Sequence, residues 1–246
     1  MSETILKAVD LSKCFKIYTQ QRTLFRLSQS LISKNPIKKE LWALKNISFE
    51  ISRGEKLAIL GANGAGKTTL LRLLAEILEP TSGHIECCEL PHPLFKYGMG
   101  MNPILPVIDN VYLLGAFHGL SVEEINKKID EIISFAELEP FLYVSLRSLS
   151  SGQKQRLLFS VFIQSHRSFL AFDESTSAAD LRFKTAIGVY FDKLMNSSKT
   201  LIMTSHNLQF LSQHCTRAIW LEKGEIKEIG NPKALIKDYK KYALKW

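Results

Sequence analysis

A glycine-rich segment constrains the fold of this chain more than any other feature. Residues Gly61–Thr68 have the sequence GANGAGKT, which matches the pattern GxxxxGK[ST] of a P-loop. An apolar strand pattern, Lys56–Leu60, precedes the P-loop, and a helical pattern from about Thr68 to Leu78 follows it. In this context successive backbone N–H groups curl around a phosphate, and the helix N-terminus adds positive potential. The context disfavours a chance glycine turn, and the sequence predicts an α/β fold that binds a nucleoside triphosphate.

Two side chains of the P-loop have chemical roles of their own. The ammonium group of Lys67 would reach the β- and γ-phosphates, and the hydroxyl group of Thr68 can ligate Mg²⁺. We therefore expect the nucleotide to bind together with Mg²⁺. The residues predicted to contact the nucleotide here are Gly61, Ala62, Asn63, Gly64, Ala65, Gly66, Lys67, Thr68 and Thr69.

A second acidic group for the metal is expected at the end of another buried strand pattern, Phe169–Phe172. Asp173 follows this pattern and would hold Mg²⁺ directly or through water. Glu174, the next residue, can polarise the attacking water as a general base. The alternative is an acidic pair that caps the next helix. The P-loop elsewhere in the chain favours the catalytic interpretation.

A third motif, Leu149–Gln153 with the sequence LSSGQ, begins a helical pattern. Taken alone it is an ordinary helix cap, although hydroxyl and N–H groups at a helix start also form an anion site. Together with the P-loop and the acidic pair it resembles the ATP-binding cassette (ABC) family, whose signature is LSGGQ. The resemblance implies ATP as the nucleotide and a head-to-tail dimer, in which one subunit's signature closes over the γ-phosphate held by the other. The signature residues are Ser150, Ser151, Gly152 and Gln153.

The resemblance to ABC proteins extends to further positions. Asp180 ends a segment similar to the D-loop, and His206 is similar to the switch histidine that contacts the γ-phosphate. An aromatic side chain normally stacks on adenine in this family; Phe15 is the best match, and Tyr18 and Trp42 are alternatives. The resemblance thus implies catalytic residues Lys67, Glu174 and His206 and metal ligands Thr68 and Asp173.

Four features resemble the ABC subfamily that exports lipid-linked polysaccharide such as O-antigen, capsule or teichoic acid. They are a long insert before Trp42, a glycine-containing loop at Tyr97–Pro103, the segment Ile132–Leu138 and the tail Ser205–Gly224. The signature and the D-loop are closer to those of general cassettes. This resemblance implies three partners: a second copy of the chain, an integral membrane permease subunit, and a lipid-linked glycan as the cargo.

Most ABC proteins place a glutamine in a loop that contacts the metal and the membrane partner. No glutamine occurs between Cys88 and Tyr112 of this chain. Asn102 is the substitute candidate for that position, and the missing glutamine disfavours an importer.

The net charge of +8 is concentrated in one segment of the chain. Positions 16–45 carry seven basic residues against a single acidic one, Glu40. Within them, Arg22–Lys34 places apolar residues on one helical face and basic residues on the opposite face. We expect this basic amphipathic insert to meet anionic headgroups, a membrane partner or a lipid pyrophosphate. The alternative is a helix packed on its own domain with a solvated basic face.

We expect one ABC ATP-binding domain over residues 1–246, with a mixed sheet, an inserted helical subdomain at about 94–165 and the basic insert at about 16–45. The stretch Pro91–Pro106 is rich in Pro, Gly and Met and is predicted to be a loop.

The N-terminal residues lack the long apolar run of a secretory signal, and the four cysteines show no paired spacing. The resemblance to polysaccharide exporters implies a peripheral location, on the cytoplasmic face of the inner (plasma) membrane. Another class of function remains open: a soluble ABC ATPase that acts on ribosomes or nucleic acid, for which the charge of +8 could supply phosphate contacts. Such proteins usually carry two cassettes or a long coiled coil, so no nucleic acid partner is expected.

Overall fold

The computed structural model describes residues 3–19, 37–94, 100–173, 181–205 and 207–243. The strands are β1 (Thr4–Thr19), β2 (Ile37–Ser52), β3 (Lys56–Leu60), β4 (Ser82–Cys87), β5 (His92–Leu94), β6 (Phe169–Phe172), β7 (Thr200–Met203), β8 (Arg217–Glu222) and β9 (Glu225–Gly230). The helices are α1 (Lys67–Leu74), α2 (Val107–Phe117), α3 (Val122–Ala136), α4 (Ser151–Phe162), α5 (Leu181–Met195), α6 (Leu208–His214) and α7 (Pro232–Ala243). Within these described ranges no helix combines the length and the apolar character needed to cross a membrane.

A sheet with the strand order β5-β6-β7-β3-β8-β9 forms the centre of the molecule. Neighbouring strands from β5 to β8 are parallel, whereas β9 returns antiparallel to β8. All residues of β3, β6 and β7 are buried, as expected for short apolar strands covered on both faces. Because these strands are parallel, their carboxyl ends lie at the same edge of the sheet. The predicted mixed α/β sheet is confirmed.

A second, antiparallel sheet has the strand order β2-β1-β4. Alternate residues of β2, including Ile47, Phe49 and Ile51, are buried in a core that also contains Leu70 and Leu74 of α1. This period of two is the pattern of a strand with one covered face. The antiparallel sheet therefore packs against α1, the helix that begins at the end of the P-loop.

Two of the helices between β5 and β6, α3 and α4, start with reciprocal side-chain caps. Ser121 exchanges hydrogen bonds with Glu124 at the start of α3, and Ser150 does the same with Gln153 at the start of α4. The buried apolar residues of α2, α3 and α4 share a core with one set of alternate residues of the central sheet, including Leu170 and Phe172 of β6, whereas Phe169 and Ala171 belong to the core that contains α1. The division of residues 94–165 from the rest as a helical subdomain stays a prediction.

Two local predictions were wrong. The predicted loop Pro91–Pro106 contains the short strand β5, which pairs in parallel with Leu170–Phe172 of β6. The sequence shows no strand pattern here, because Pro93 lacks an N–H group and proline is disfavoured inside a sheet. It is tolerated in β5 because β5 is an edge strand of the described sheet. The predicted helix ending at Leu78 ends at Leu74, because Glu76 adopts a φ of 53° and later N–H groups turn back toward the helix end.

The ends of the predicted basic insert, residues 16–19 and 37–45, are strand. The strand β1 continues to Thr19 and pairs with β2 from Ile37 onward, with Lys16 opposite Glu40. Cross-strand pairs of opposite charge and alternating apolar residues stabilise such a ribbon. The predicted helical pattern within Arg22–Lys34 lies outside the described residues.

Candidate nucleotide-binding site

The P-loop connects β3 to α1, and the backbones of β8 and β2 lie against it. A Cβ atom on Gly61 would lie 2.5 Å from the backbone oxygen of Leu221 in β8, and one on Gly66 would lie 2.6 Å from that of Ala43 in β2. Gly66 also has a φ of 106°, which side chains disfavour. Only glycine therefore fits at these two positions, and the neighbouring strands fix the path of the loop.

Lys67, the first residue of α1, folds back over the P-loop. Its Nζ donates hydrogen bonds to the backbone oxygens of Gly61 at 2.7 Å and Ala62 at 3.1 Å. Burial lowers the pKa of the Lys67 ammonium group, and the nearby carboxylate of Asp173 raises it in part. The ammonium group thus lies inside the loop, where it is available to an anion that enters.

The structure brings Thr68 and Asp173 together. The hydroxyl group of Thr68 donates a hydrogen bond of 2.8 Å to Oδ2 of Asp173. A third residue, Thr204 at the end of β7, donates a hydrogen bond of 2.8 Å to the other oxygen, Oδ1. No motif in the sequence points to Thr204. The available signal is a hydroxyl residue directly after a buried strand, β7, which pairs in parallel with β6.

Thr68 and Asp173 have the chemistry that a hard cation requires. Magnesium prefers oxygen ligands, and it usually binds through one or two protein oxygens together with phosphate oxygens and water. A threonine hydroxyl and a half-buried carboxylate in direct contact beside the P-loop match this requirement. The two residues fit the predicted role as ligands of Mg²⁺.

The signature residues form an exposed helix start. The Ser150 hydroxyl accepts a hydrogen bond from the N–H of Gln153 at 3.2 Å, and Oε1 of Gln153 accepts one from the N–H of Ser150 at 2.9 Å. Ser150 and Ser151 are exposed, and Gly152 is partly exposed. The N-terminus of α4 is therefore open to an anion brought by another molecule.

Three of the predicted site residues, Glu174, Asp180 and His206, lie outside the described residues. Their positions along the chain place them directly after Asp173, before α5 and after Ser205, respectively. Their roles stay predictions.

The three aromatic candidates for adenine stacking lie on the β1–β2 ribbon. Phe15 is half-buried opposite Leu41, and the ammonium group of Lys13 lies 5.5 Å from its ring centroid. Trp42 pairs with Cys14 and is 42% exposed. Tyr18 is described only in its backbone pairing. The choice of Phe15 stays a prediction.

A cavity of about 390 Å³ lies on the β8 side of the P-loop, and the sequence did not reveal it. Its walls include Ala62–Ala65 and the rings of Trp220, Tyr239 and Tyr242. The ammonium group of Lys227 lies 4.1 Å from the ring centroid of Trp220 and forms an ion pair of 2.7 Å with Glu222. The charge of this lysine is thus balanced within the chain.

Asn102, the candidate for the missing glutamine, takes part in a turn. Its Oδ1 accepts a hydrogen bond from the N–H of Ile104 at 3.0 Å. Its own N–H donates to Oδ1 of the fully buried Asn110 at 2.7 Å. These contacts give Asn102 a structural role in the described loop, and its role as a metal-loop residue stays a prediction.

Comparison with known proteins gives consistent similarities. Residues 44–177 match the family model described as ABC transporter. The chain is 32% identical over 237 residues to the teichoic acids export ATP-binding protein TagH of Lactococcus lactis, covering 96% of this chain and 51% of that protein. It is 32% identical over 198 residues to the O-antigen export system ATP-binding protein RfbB of Klebsiella pneumoniae, covering 80% of each. The chain thus spans about half the length of the Lactococcus relative.

Solved structures share the fold. One described as an ATP binding subunit of an ABC transporter has a TM-score of 0.70 at 18% identity, covering 96% of this chain and 93% of that chain. Another, the ATP-binding cassette MJ0796 in a dimeric post-hydrolysis state bound to ADP and Pi, has a TM-score of 0.69 at 23% identity, covering 93% of this chain and 99% of that chain. At these identities the similarity concerns the fold alone.

Proposed function

The chain belongs to the ABC transporter family, and on this premise we propose that it binds and hydrolyses ATP as the nucleotide-binding subunit of a lipid-linked polysaccharide exporter. The observation that carries the ATPase part is the contact of 2.8 Å between Thr68 and Asp173 beside Lys67. The relatives named for teichoic acid and O-antigen export support the type of cargo.

Each nucleotide site would use three described residues of one chain. Lys67 exchanges its bonds to the carbonyl groups of Gly61 and Ala62 for bonds to the β- and γ-phosphates. Thr68 and Asp173 would hold Mg²⁺, and the ion would supply positive charge that neutralises the phosphate oxygens. The backbone N–H groups of the P-loop orient the phosphates, so that the binding free energy goes into positioning.

The residues that complete the site would come from the loops around it and from a second copy of the chain. Glu174 orients and polarises the attacking water, and His206 contacts the γ-phosphate. The exposed start of α4, with Ser150, Ser151, Gly152 and Gln153, closes over the partner's γ-phosphate, and Asp180 lies nearby. The exposure of this helix start supports the arrangement, because its N–H and hydroxyl groups are free to face another subunit.

Closure and reopening of the dimer would drive a separate integral membrane permease, on the cytoplasmic face of the membrane. The basic insert, residues 16–45, would provide contacts to the membrane or to the permease. The cargo would be a lipid-linked glycan of the O-antigen, capsule or teichoic acid type.

ATP hydrolysis by the purified full chain tests the ATPase part. We expect Mg²⁺-dependent release of phosphate by the wild type and its loss in Lys67→Ala. The control Lys7→Ala removes an exposed lysine, 3.9 Å from Glu50 on the antiparallel sheet, and should retain activity. Equal activity in Lys67→Ala and the wild type would refute the proposed site.

Polysaccharide export is tested in a host strain that lacks the gene. Surface glycan should return with the wild type and with Lys7→Ala, but not with Lys67→Ala. A chain that hydrolyses ATP but whose absence leaves surface polysaccharide unchanged would retain the ATPase assignment and exclude the proposed cargo.

A further inference from the structure

Two neighbouring parallel strands bring Thr204 next to Asp173. The last paired residues of β6 and β7 are Phe172 and Met203, so Asp173 and Thr204 occupy the next position on each strand. The N–H of Thr204 donates to the backbone oxygen of Phe172 at 3.0 Å, which extends the ladder by one bond. The backbones of the two strand ends are therefore fixed relative to each other.

The side chains add a second connection at this point. Thr204 is 3% exposed, and its hydroxyl group donates to Oδ1 of Asp173 at 2.8 Å. Thr68 donates to Oδ2 at the same distance from the first turn of α1. Each carboxylate oxygen of Asp173 accepts a hydrogen bond from a hydroxyl group on a different element. The carboxylate therefore cannot rotate without lengthening both hydrogen bonds.

We propose that Thr204 is a positioning residue, which holds the carboxylate of Asp173 in the orientation that receives the divalent cation. This inference rests on the proposed function, because it concerns the same site. Thr68 is itself a candidate ligand of the cation, so its hydroxyl group must serve two partners once the cation is bound. Thr204 faces the carboxylate from β7 and can keep its hydrogen bond throughout.

A buried threonine can also serve only to fill space, and the two roles predict different results. A space-filling residue tolerates valine, which has nearly the same shape but lacks the hydroxyl group. A positioning residue tolerates serine, which keeps the hydroxyl group but loses a methyl group. The comparison of Thr204→Val with Thr204→Ser therefore separates packing from hydrogen bonding.

The chain offers a matched control on the same strand. Thr200 lies at the other end of β7 and is 2% exposed, and its Oγ1 accepts a hydrogen bond from the N–H of Gly54 at 2.9 Å. Thr200→Val makes the same chemical change in an equally buried position, but away from Asp173. It reports the effect of the substitution on stability alone.

The measurement is the affinity of the full chain for a fluorescent ATP analogue, with Mg²⁺ and with EDTA, together with the melting temperature of each variant. The ratio of the two affinities isolates the contribution of the cation. We expect Thr204→Val to bind the analogue like the wild type in EDTA. Its ratio of affinity with Mg²⁺ to affinity with EDTA should be roughly tenfold lower than that of the wild type, since groups that orient metal ligands typically contribute that much. Thr204→Ser and Thr200→Val should keep the wild-type ratio, even if their melting temperatures fall.

Three results would overturn the inference: an unchanged ratio in Thr204→Val, an equal loss in Thr204→Ser, or an equal loss in Thr200→Val. Failure of the wild type to bind the analogue in either condition is a different result, because it would contradict the proposed function itself and with it the role of Thr204. A loss of melting temperature without a change in the ratio would assign Thr204 to packing.

Discussion

Thr68 and Asp173 are 105 positions apart in the sequence, yet the hydroxyl group of one donates a hydrogen bond of 2.8 Å to the carboxylate of the other. The contact joins the first turn of α1 to the end of β6. It forms because β3 and β6 are parallel strands of one sheet, with β7 between them, so that the segments following them meet at one edge. This contact is the centre of the candidate site.

Removal of the Thr68 hydroxyl group should impair the use of the cation. We expect Thr68→Ala to lower ATP turnover by roughly 10²-fold or more, because both a cation ligand and a partner of Asp173 are lost. Thr68→Ser keeps the hydroxyl group and should retain most of the activity. Phosphate release at increasing Mg²⁺ concentration is the measurement, and equal activity in Thr68→Ala and Thr68→Ser would contradict the role.

Glu174→Gln should separate binding from hydrolysis. The amide cannot accept a proton from the attacking water, and general base catalysis typically contributes about 10²–10⁴-fold to a rate. We expect turnover to fall by that range while the dissociation constant for ATP stays near that of the wild type. Single-turnover kinetics with radiolabelled ATP measures both, and normal turnover in this variant would exclude Glu174 as the base.

A site shared between two copies should be restored by mixing two inactive variants. Lys67→Ala damages the P-loop, and Gly152→Asp places a negative charge at the start of α4, where the γ-phosphate would bind. Each variant alone should be inactive. In a mixed dimer, one of the two sites combines an intact P-loop with an intact signature, so phosphate release should reappear. An inactive mixture in which crosslinking demonstrates mixed dimers would argue against the shared site.

A buried histidine pair should make the fold sensitive to acid. His118 is 1% exposed, and its Nδ1 lies 2.5 Å from Nε2 of His92. Burial lowers the pKa of His118 to about 3, with further lowering by His92 and Arg167, and burial and Arg167 lower the pKa of His92 to about 4. In the unfolded chain both titrate near 6.5. The free energy of unfolding should thus decrease as the pH falls from about 6.5 toward 4, since the unfolded state takes up more protons.

Urea unfolding of the full chain between pH 7 and pH 4.5 measures this effect. His118→Leu should reduce the slope of the free energy of unfolding against pH by up to about 1.4 kcal/mol per pH unit, the contribution of one proton. His166→Leu is the control, because that histidine side chain is 70% exposed. Equal slopes in the wild type and His118→Leu would refute the assignment.

Charge reversal in the basic insert should weaken attachment to the membrane or the permease. Replacement of Arg22, Arg26, Lys38 and Lys39 by glutamate removes the positive charge that would meet anionic headgroups, each basic residue near such a surface contributing about 1 kcal/mol. We expect less of the chain in the membrane fraction and lower export, with ATP hydrolysis by the purified chain retained.

The control for this variant is the same number of charge reversals on α7. Lys233, Lys237, Lys240 and Lys241 are exposed there, so the net charge changes equally in a different place. Unchanged sedimentation of the insert variant, or an equal loss in the α7 variant, would exclude a specific role for the insert.

Local patterns in the sequence predicted much of the fold. Short apolar runs predicted β3 and β6, because a strand that is buried on both faces needs apolar residues at every position. The cap of α4 was visible in the motif that contains Ser150, since a side-chain cap acts within one helical turn. The edge strand β5 was missed, because Pro93 removes the local signal and only pairing with β6 makes the segment a strand.

The sequence by itself identified the candidate residues for the chemistry, namely Lys67 and Thr68 in the P-loop and Asp173 after a buried strand, since each motif is short and continuous. It also determined that the basic residues cluster at positions 16–45. The tertiary structure alone decided that Thr204 contacts Asp173, that Leu221 and Ala43 close on the P-loop, and that the ends of the basic segment pair as strands. These contacts depend on the order of strands in the sheet, which joins residues far apart in the chain and leaves no local pattern in the sequence.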